Sequence, residues 1–335
     1  MRSFRQARPA RTGGATRDVL VTAGDLRAKV GDLRQFASVR RIVLDEGVER
    51  GVAALAFSNG GGLDFWTLAD RSLDIGPLWW RGMPIAWQSM AGFRSPHLHH
   101  PEEDGGRGYS RTNSGFLVTC GLDHFRQPVP GHPMHGRLPF TPARVTAHGE
   151  DWSRTEPVLF CEGEAMQFRF GGEALRLRRR LEAPIGGNLL RIRDEVTNLA
   201  SEPTPQASLY HFNFGYPALA PGSSVTLGAR RLLDVKALPD VSLPSESVSF
   251  PAGDQGASAV CKLATPVDND TMLEIAITFD VSTLPHLQLW HDLRPHACVL
   301  AIEPCTSAKV NGTEAVLMPG ESRAYALEIA FEVKS

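Results

Sequence analysis

Apolar and charged residues alternate through LRLRRRLEAP (175–184) and NLLRIRDEVTN (188–198), two stretches joined by the turn-rich APIGGN (183–188). A period of two puts successive side chains on opposite faces, the pattern of a β-strand with one face on a core and one in water. SVRRIVLDEG, GVAALAFSNGGG, LDFWTLAD and RAYALEIAFEVK have the same texture. Turn signals recur at SNGGG (58–62), ALAPGSS (218–224) and MPGES (318–322). Many short strands with few helices imply an all-β sandwich or barrel. The 335 residues, 42% hydrophobic and 21% charged, suffice for a large core. The expectation is therefore one large antiparallel β-sandwich over residues 16–335, behind a flexible basic tail at 1–15. One amphipathic helix is expected in AGDLRAKVGDLRQFAS (23–38), with Asp25 as its cap.

Charge and cysteine usage narrow the partners. A net charge of −2 points to neither nucleic acid nor an anionic membrane. No apolar run approaches the roughly 20 residues that span a bilayer. The opening MRSFRQARPARTGGATRD lacks the apolar middle of a secretion signal. The five cysteines (120, 161, 261, 298 and 305) are odd in number, scattered and without a C-x-x-C pair, so reduced thiols and a cytoplasmic location are expected. A homodimer is left open.

Four segments place polar groups where a strand pattern asks for apolar ones. TLADRSLDIGPLWWRGMPIAWQ (67–88) carries Arg71 and Asp74, then Trp79, Trp80 and Trp87. HPMHGRLPFTPARV (132–145) carries His132 and His135. YHFNFGYP (210–217) carries His211 and, on the same strand face, Asn213. LQLWHDLRPHACVLAIEPCTSAKVNG (287–312) carries Trp290 and then Glu303, which directly follows the apolar run CVLAI. A carboxyl where a buried strand meets the surface is partly desolvated, which raises its pKa and suits proton transfer near neutral pH. Taken singly, each of these is more often a satisfied structural group. Two imidazoles and a carboxylate on separate strands, with arginine and tryptophan nearby, together suit a sugar pocket with an aromatic and polar lining.

The ordered set DRSLDIGPLWWRGMPIAW, GFLVTCGLD, HGRLPFTPA, YHFNFGYP, W-H-D-L, AIEPCTS and LMPGESRAYALEI, over roughly residues 40–333, resembles the aldose 1-epimerase (galactose mutarotase) superfamily and its DUF4432 branch. The resemblance implies a supersandwich fold and an isomerase that interconverts sugar anomers without cofactor or metal. It implies Glu303 as the base that takes the anomeric proton, His211 as the acid that protonates the ring oxygen, and His135 as the histidine that orients the sugar. Arg71 matches the early substrate-binding arginine of that superfamily. Asn213, Trp290 and Trp87 complete the expected substrate contacts. The branch often has Lys where this chain has His291, and the hydroxyl-clamping aspartate of better-known mutarotases has only Asp123 and Asp292 as candidates.

Other readings compete. HLHHPEE (97–103) offers His97, His99, His100, Glu102 and Glu103 as metal ligands, with His135 or His211 as a third partner, although Pro96 and Pro101 disturb strand spacing there. A keto-sugar isomerase or lyase would use the same Glu and His. A glycosidase needs a second carboxylate within about 5–10 Å. A non-catalytic carbohydrate-binding protein needs no acid–base pair. Cys120 is expected to be a small core residue.

Overall fold

The computed structural model describes residues 23–253, 257–268, 270–308 and 315–335. The tail at 1–15 and the side chain of Asp25 lie outside the described residues. Among the described residues, two antiparallel sheets of eleven and nine strands carry nearly all the regular structure. The order across the first sheet is Ser38–Val43, Ala53–Ser58, Leu63–Leu68, Asp74–Trp80, Leu117–Leu122, Thr204–Phe214, Val299–Cys305, His286–Asp292, Glu246–Pro251. Met83–Pro84 and Ala315–Leu317 pair off this path. The second sheet runs Arg230–Asp234, Ser224–Leu227, Ser258–Pro266, Met272–Asp280, Ser322–Lys334, Leu189–Asn198, Ala174–Pro184, Val158–Phe168, Arg144–Asp151. The fold is all-β, as the alternation requires.

The two alternating stretches form neighbouring strands of the second sheet, in a register that pairs Ile192 with Leu181 and Val196 with Leu177. Leu175, Leu177, Leu181, Ile192 and Val196 point between the sheets. Phe65, Ile75, Tyr210, Phe212 and Phe214 meet them from the first sheet, and Trp80 stacks on Phe331 with ring centroids 6.1 Å apart.

The same inward face also carries Arg179 and Asp194, both buried. Arg179 donates to Asp194 Oδ1 and Oδ2 at 2.9 and 2.7 Å, to Asp74 Oδ1 at 2.8 Å and to Thr119 Oγ1 at 2.8 Å. Tyr210 Oη donates to Asp194 Oδ2 at 2.8 Å. One guanidinium thus ties the second sheet to the strands holding Asp74, Thr119 and Tyr210 in the first. Burial pushes the Asp74 carboxyl up to about 6, against the pull of Arg179 and the Thr119 hydrogen bonds.

The segment 23–38, expected to hold a short helix, has a helix Ala23–Arg27 and a 3-10 turn Leu33–Gln35. Gly31 weakens the helical backbone, and the Asp32 carboxylate caps the second piece by accepting from Arg34 N at 2.9 Å. The long loop at 91–111 is broken by short turns, Pro96–Leu98, Glu103–Gly106 and Gly108–Arg111. Among the described residues no helix is long and apolar enough to cross a membrane.

Candidate active site

The Thr204–Phe214 strand sends Tyr210, Phe212 and Phe214 into the intersheet core. Its alternate residues Leu209, His211 and Asn213 face the other way. Strand register then builds a row across the first sheet. His211 pairs with Val118 on one side. On the other, the pairs Leu209–Cys305 and Phe212–Ile302 set Glu303 beside His211. Gln288 pairs with Glu303, and Ser249 pairs with Gln288. Four neighbouring strands therefore deliver His211, Glu303, Gln288 and Ser249 in line.

This row forms part of the lining of a cleft of about 550 Å³, within the range of small-molecule sites. His211 Nε2 and Glu303 Oε1 stand 3.4 Å apart. Gln288 Nε2 donates to Glu303 Oε2 at 2.6 Å. Glu303 Oε1 makes no hydrogen bond, although the residue is fully buried. The Trp290 ring lies edge-on to His211 at 5.8 Å, and the His135 ring stands perpendicular to His211 at 5.5 Å. Tyr109, from the 91–111 loop, packs on His135 at 4.4 Å.

His135 and Arg126 both adopt left-handed backbone conformations, φ 60° and 75°, which non-glycine residues adopt only when their surroundings enforce it. His135 N donates to Arg126 O at 2.8 Å, and His135 Nδ1 accepts from Arg126 N at 3.4 Å. The accepting Nδ1 leaves the ring proton of His135 on Nε2. Gly136 follows because any side chain there would run into the carbonyls of Gly121 and His124.

Burial controls the electrostatics. It raises the Glu303 carboxyl to about 8, with the Arg126 charge and the Gln288 hydrogen bond pulling the other way. It lowers the His211 imidazole to about 4, opposed by the Asn213 side chain. His135 is held well below the ordinary imidazole value by burial, then by His211, His124 and Arg126. Burial thus favours the uncharged form of both side chains.

Of the residues singled out in the sequence, His211, Glu303, His135, Trp290 and Trp87 line the cleft. Glu303 is not at a strand end: it lies inside Val299–Cys305, a strand buried along its whole length. Arg71 and Asn213 are not among the lining residues. Arg71 is buried beside the loop that carries Tyr109, donating to the carbonyls of Thr112 and Ser114 at 2.5 and 3.4 Å. Asn213 lies behind His211, its Nδ2 donating to Gly115 O at 3.0 Å and to His211 O at 3.3 Å. His132 faces Asp123 at 3.1 Å, and Asp292 pairs with Arg294 at 2.5 Å; none of these lines the cleft. Cys120 is fully buried, and burial pushes its thiol well above the ordinary value.

The 97–103 loop does not gather metal ligands. Both ring nitrogens of His99 are occupied, Nδ1 by Glu103 at 3.0 Å and Nε2 by Arg94 at 2.6 Å. Among the described residues no group of three or more His, Cys, Asp or Glu side chains is arranged to hold a metal ion. A larger groove, about 780 Å³, runs along the second sheet. Its walls are ion pairs such as Arg144–Glu164 and Arg180–Glu162, which neutralise one another.

Gln288, Arg126 and Tyr109 are cleft residues that the sequence did not single out. Gln288 was within reach, since it sits two residues before Trp290 and hence on the same strand face. Tyr109 belongs to the 91–111 segment, whose length, glycine and histidine content and lack of periodicity mark it in the sequence as either a binding edge or a solvated excursion, whereas Arg126 carries no such signal.

Solved structures share this architecture. A protein of Klebsiella pneumoniae described as a "putative aldose 1-epimerase" superposes with a TM-score of 0.79 at 21% identity, over 91% of this chain and 85% of that one. A galactose mutarotase-like protein of Clostridium acetobutylicum gives 0.60 at 14% identity, over 89% and 98%. Galactose 1-epimerase of Lactobacillus acidophilus gives 0.55 at 13% identity, over 89% and 99%. At these identities the likeness establishes the galactose mutarotase-like fold. No curated protein matches the chain in sequence. Residues 49–331 match the family described as "Domain of unknown function (DUF4432)", and the chain belongs to that family.

Proposed function

We propose that the protein is a sugar isomerase of the aldose 1-epimerase type, in which Glu303 and His211 exchange one proton through the anomeric centre. The observation that carries this is the 3.4 Å approach of His211 Nε2 to a Glu303 oxygen that has no hydrogen bond, on the wall of a cleft. Such a pair can receive the anomeric hydroxyl and the ring oxygen of one pyranose.

The pair carries one mobile proton. With a cyclic sugar bound, Glu303 is ionised and His211 protonated. Glu303 takes the O1 proton, and the O1–H electrons form the C1=O1 bond. The C1–O5 bond breaks, and its electron pair takes the proton from His211 Nε2. Glu303 is now protonated and His211 neutral, the uncharged forms that burial favours. Rotation about C1–C2 and reversal of these steps close the other anomer and return the proton to His211. The pair's total charge is zero throughout, so no net charge is created in a desolvated site.

Trp290 and Trp87 offer aromatic surface to the sugar, and His135 offers its Nε2–H to a hydroxyl. Glu303 is the sole acidic residue on the cleft lining among the described residues, so the two-carboxylate chemistry of glycosidases has no second partner. Exchange NMR on a panel of aldoses tests the proposal. The protein accelerates α/β exchange of at least one sugar, and Glu303→Gln reduces that rate by roughly 10²–10⁴. No acceleration with any sugar, or an unimpaired variant, refutes it.

A further inference from the structure

Before the strand Leu117–Leu122 begins, the chain from Gly108 to Gly115 runs outside both sheets and supplies Tyr109, Ser110 and Asn113 to the cleft lining. No strand ladder satisfies this backbone, and side chains take its last four carbonyls instead. Arg71 Nη2 donates to Thr112 O at 2.5 Å and Arg71 Nη1 to Ser114 O at 3.4 Å. Ser89 Oγ donates to Asn113 O at 2.7 Å, and Asn213 Nδ2 donates to Gly115 O at 3.0 Å. Carbonyls removed from water need such donors. Arginine can hold two alternate carbonyls because its planar fork carries N–H groups in fixed directions, whereas the compact ammonium of lysine has no such fork.

This grip passes on to the cleft. Thr112 Oγ1 donates to Tyr109 O at 3.2 Å, and the backbone N–H groups of Thr112 and Asn113 each donate to the same carbonyl at 3.0 Å. Tyr109 Oη donates to Asn113 Oδ1 at 2.9 Å. Tyr109 is thereby tied at both ends to the backbone that Arg71 holds. Its ring lies 4.4 Å from the His135 ring, which in turn lies 5.5 Å from the His211 ring. Arg71 and Asn213 are both buried, and neither lines the cleft. The two side chains expected to contact a sugar thus stand one layer behind the surface that would.

We propose that Arg71 is a positioning residue: with Ser89 and Asn213 it grips the 112–115 backbone, sets Tyr109 and Asn113 in place as a wall of the cleft, and so controls substrate affinity without touching the substrate. The affinity half of this rests on the proposed isomerase function, whereas the grip on Tyr109 stands independently of it. Tyr109 and Asn113 are not members of the Glu303–His211 pair. Displacing them therefore weakens the ground state and the transition state alike, which raises KM and leaves kcat nearly as it was. An arginine that touched the sugar itself would lose binding independently of Tyr109, and one that only stabilised the fold would lose stability alone.

The place of Tyr109 is read without any ligand from the NMR signals of the His135 ring, which lies within the ring current of Tyr109. Arg71→Lys keeps the buried charge and loses the fork. It shifts these signals toward their values in Tyr109→Leu, and Arg71→Lys combined with Tyr109→Leu gives the Tyr109→Leu values. Ser89→Ala takes one donor from the same row and leaves the core charge alone. It shifts the signals the same way by a smaller amount, and it decides the point if Arg71→Lys does not fold. In anomer exchange with a panel of aldoses, Arg71→Lys raises KM roughly tenfold or more, lowers kcat less than about threefold, and adds nothing to the loss in Tyr109→Leu. Wild-type His135 signals in either folded variant, a KM loss that multiplies with that of Tyr109→Leu, or a loss in kcat alone overturns the positioning role. No exchange of any sugar defeats the isomerase proposal alone, and the His135 signals still decide the grip.

Discussion

Gln288 Nε2 donates to Glu303 Oε2 at 2.6 Å between directly paired residues of adjacent strands, which leaves Oε1 as the carboxyl oxygen that faces His211. The hydrogen bond both aims the carboxyl and stabilises its ionised form, since it pulls the Glu303 pKa down against burial. Gln288→Leu is expected to raise the Glu303 pKa further. Isomerisation should fall by roughly 10- to 100-fold, the worth of a hydrogen bond to a charged group. The pH–rate profile checks this, because its basic-side group moves upward and a packing defect alone would not move it.

His211 has a second neighbour that acts on its charge. Asn213 lies two residues on along the same strand face, and its side chain raises the His211 pKa against a larger effect of burial. Asn213→Asp should raise the imidazole pKa from about 4, because a carboxylate stabilises the imidazolium. Asn213→Leu should lower it further and leave Gly115 O without its donor, a destabilisation of about 1–3 kcal/mol. NMR titration of the histidine ring signals distinguishes the three proteins; identical His211 titration in all of them would remove Asn213 from the acid–base machinery.

Stability should depend on pH in a way that isolates Glu303. Its carboxyl titrates near 4.5 when unfolded and at about 8 when folded, so between those values the folded state holds a proton that the unfolded state has lost. Stability is therefore full below the lower value and falls as pH rises toward the upper one. His211 runs the other way, from about 4 when folded to 6.5 when unfolded, and Asp74, at about 6 when folded, has nearly finished titrating by about pH 7. Between about pH 7 and 8 the Glu303 proton dominates these three groups, at up to about 1.4 kcal/mol per pH unit. Urea denaturation across that window should show wild-type stability falling and Glu303→Gln nearly flat.

Arg179 is the group whose loss the sandwich should tolerate least. It sits between Asp74 and Asp194, both buried and both within 2.9 Å. Arg179→Met strands two carboxylates in the core, and about 3–5 kcal/mol of stability should be lost. Replacing Asp74, Arg179 and Asp194 together by apolar residues should recover much of that loss, because no unpaired charge remains. Thermal or urea midpoints decide between these outcomes.

Much of this was legible in the chain because strand alternation is a local signal. Leu175, Leu177, Leu181, Ile192 and Val196 mark the inward face of their strands without knowledge of any partner. Glu303 and His211 were legible for the converse reason, as polar groups in otherwise apolar strands. Long-range register was hidden: nothing local says that Gln288 and Ser249 continue the row that Glu303 and His211 begin. Arg71 was misplaced because a buried arginine that donates to the carbonyls of Thr112 and Ser114 looks the same in sequence as one aimed at a ligand. The upward direction of the Glu303 pKa was legible from its apolar run, but the extent depends on how deeply the folded strands bury it. The short helix expected within 23–38 is present as Ala23–Arg27, and its early end was legible in Gly31 and Asp32, which oppose a longer amphipathic run.

Coupling between Glu303 and His211 is the central claim, and a double-mutant cycle in the anomer-exchange assay tests it most directly. Glu303→Gln and His211→Asn should each lower the rate by roughly 10²–10⁴, and the double variant should be no slower than the slower single variant, because a proton relay broken at either end is already lost. Losses that multiply in the double variant, or a single variant that exchanges anomers at the wild-type rate, would contradict a shared proton between these two side chains.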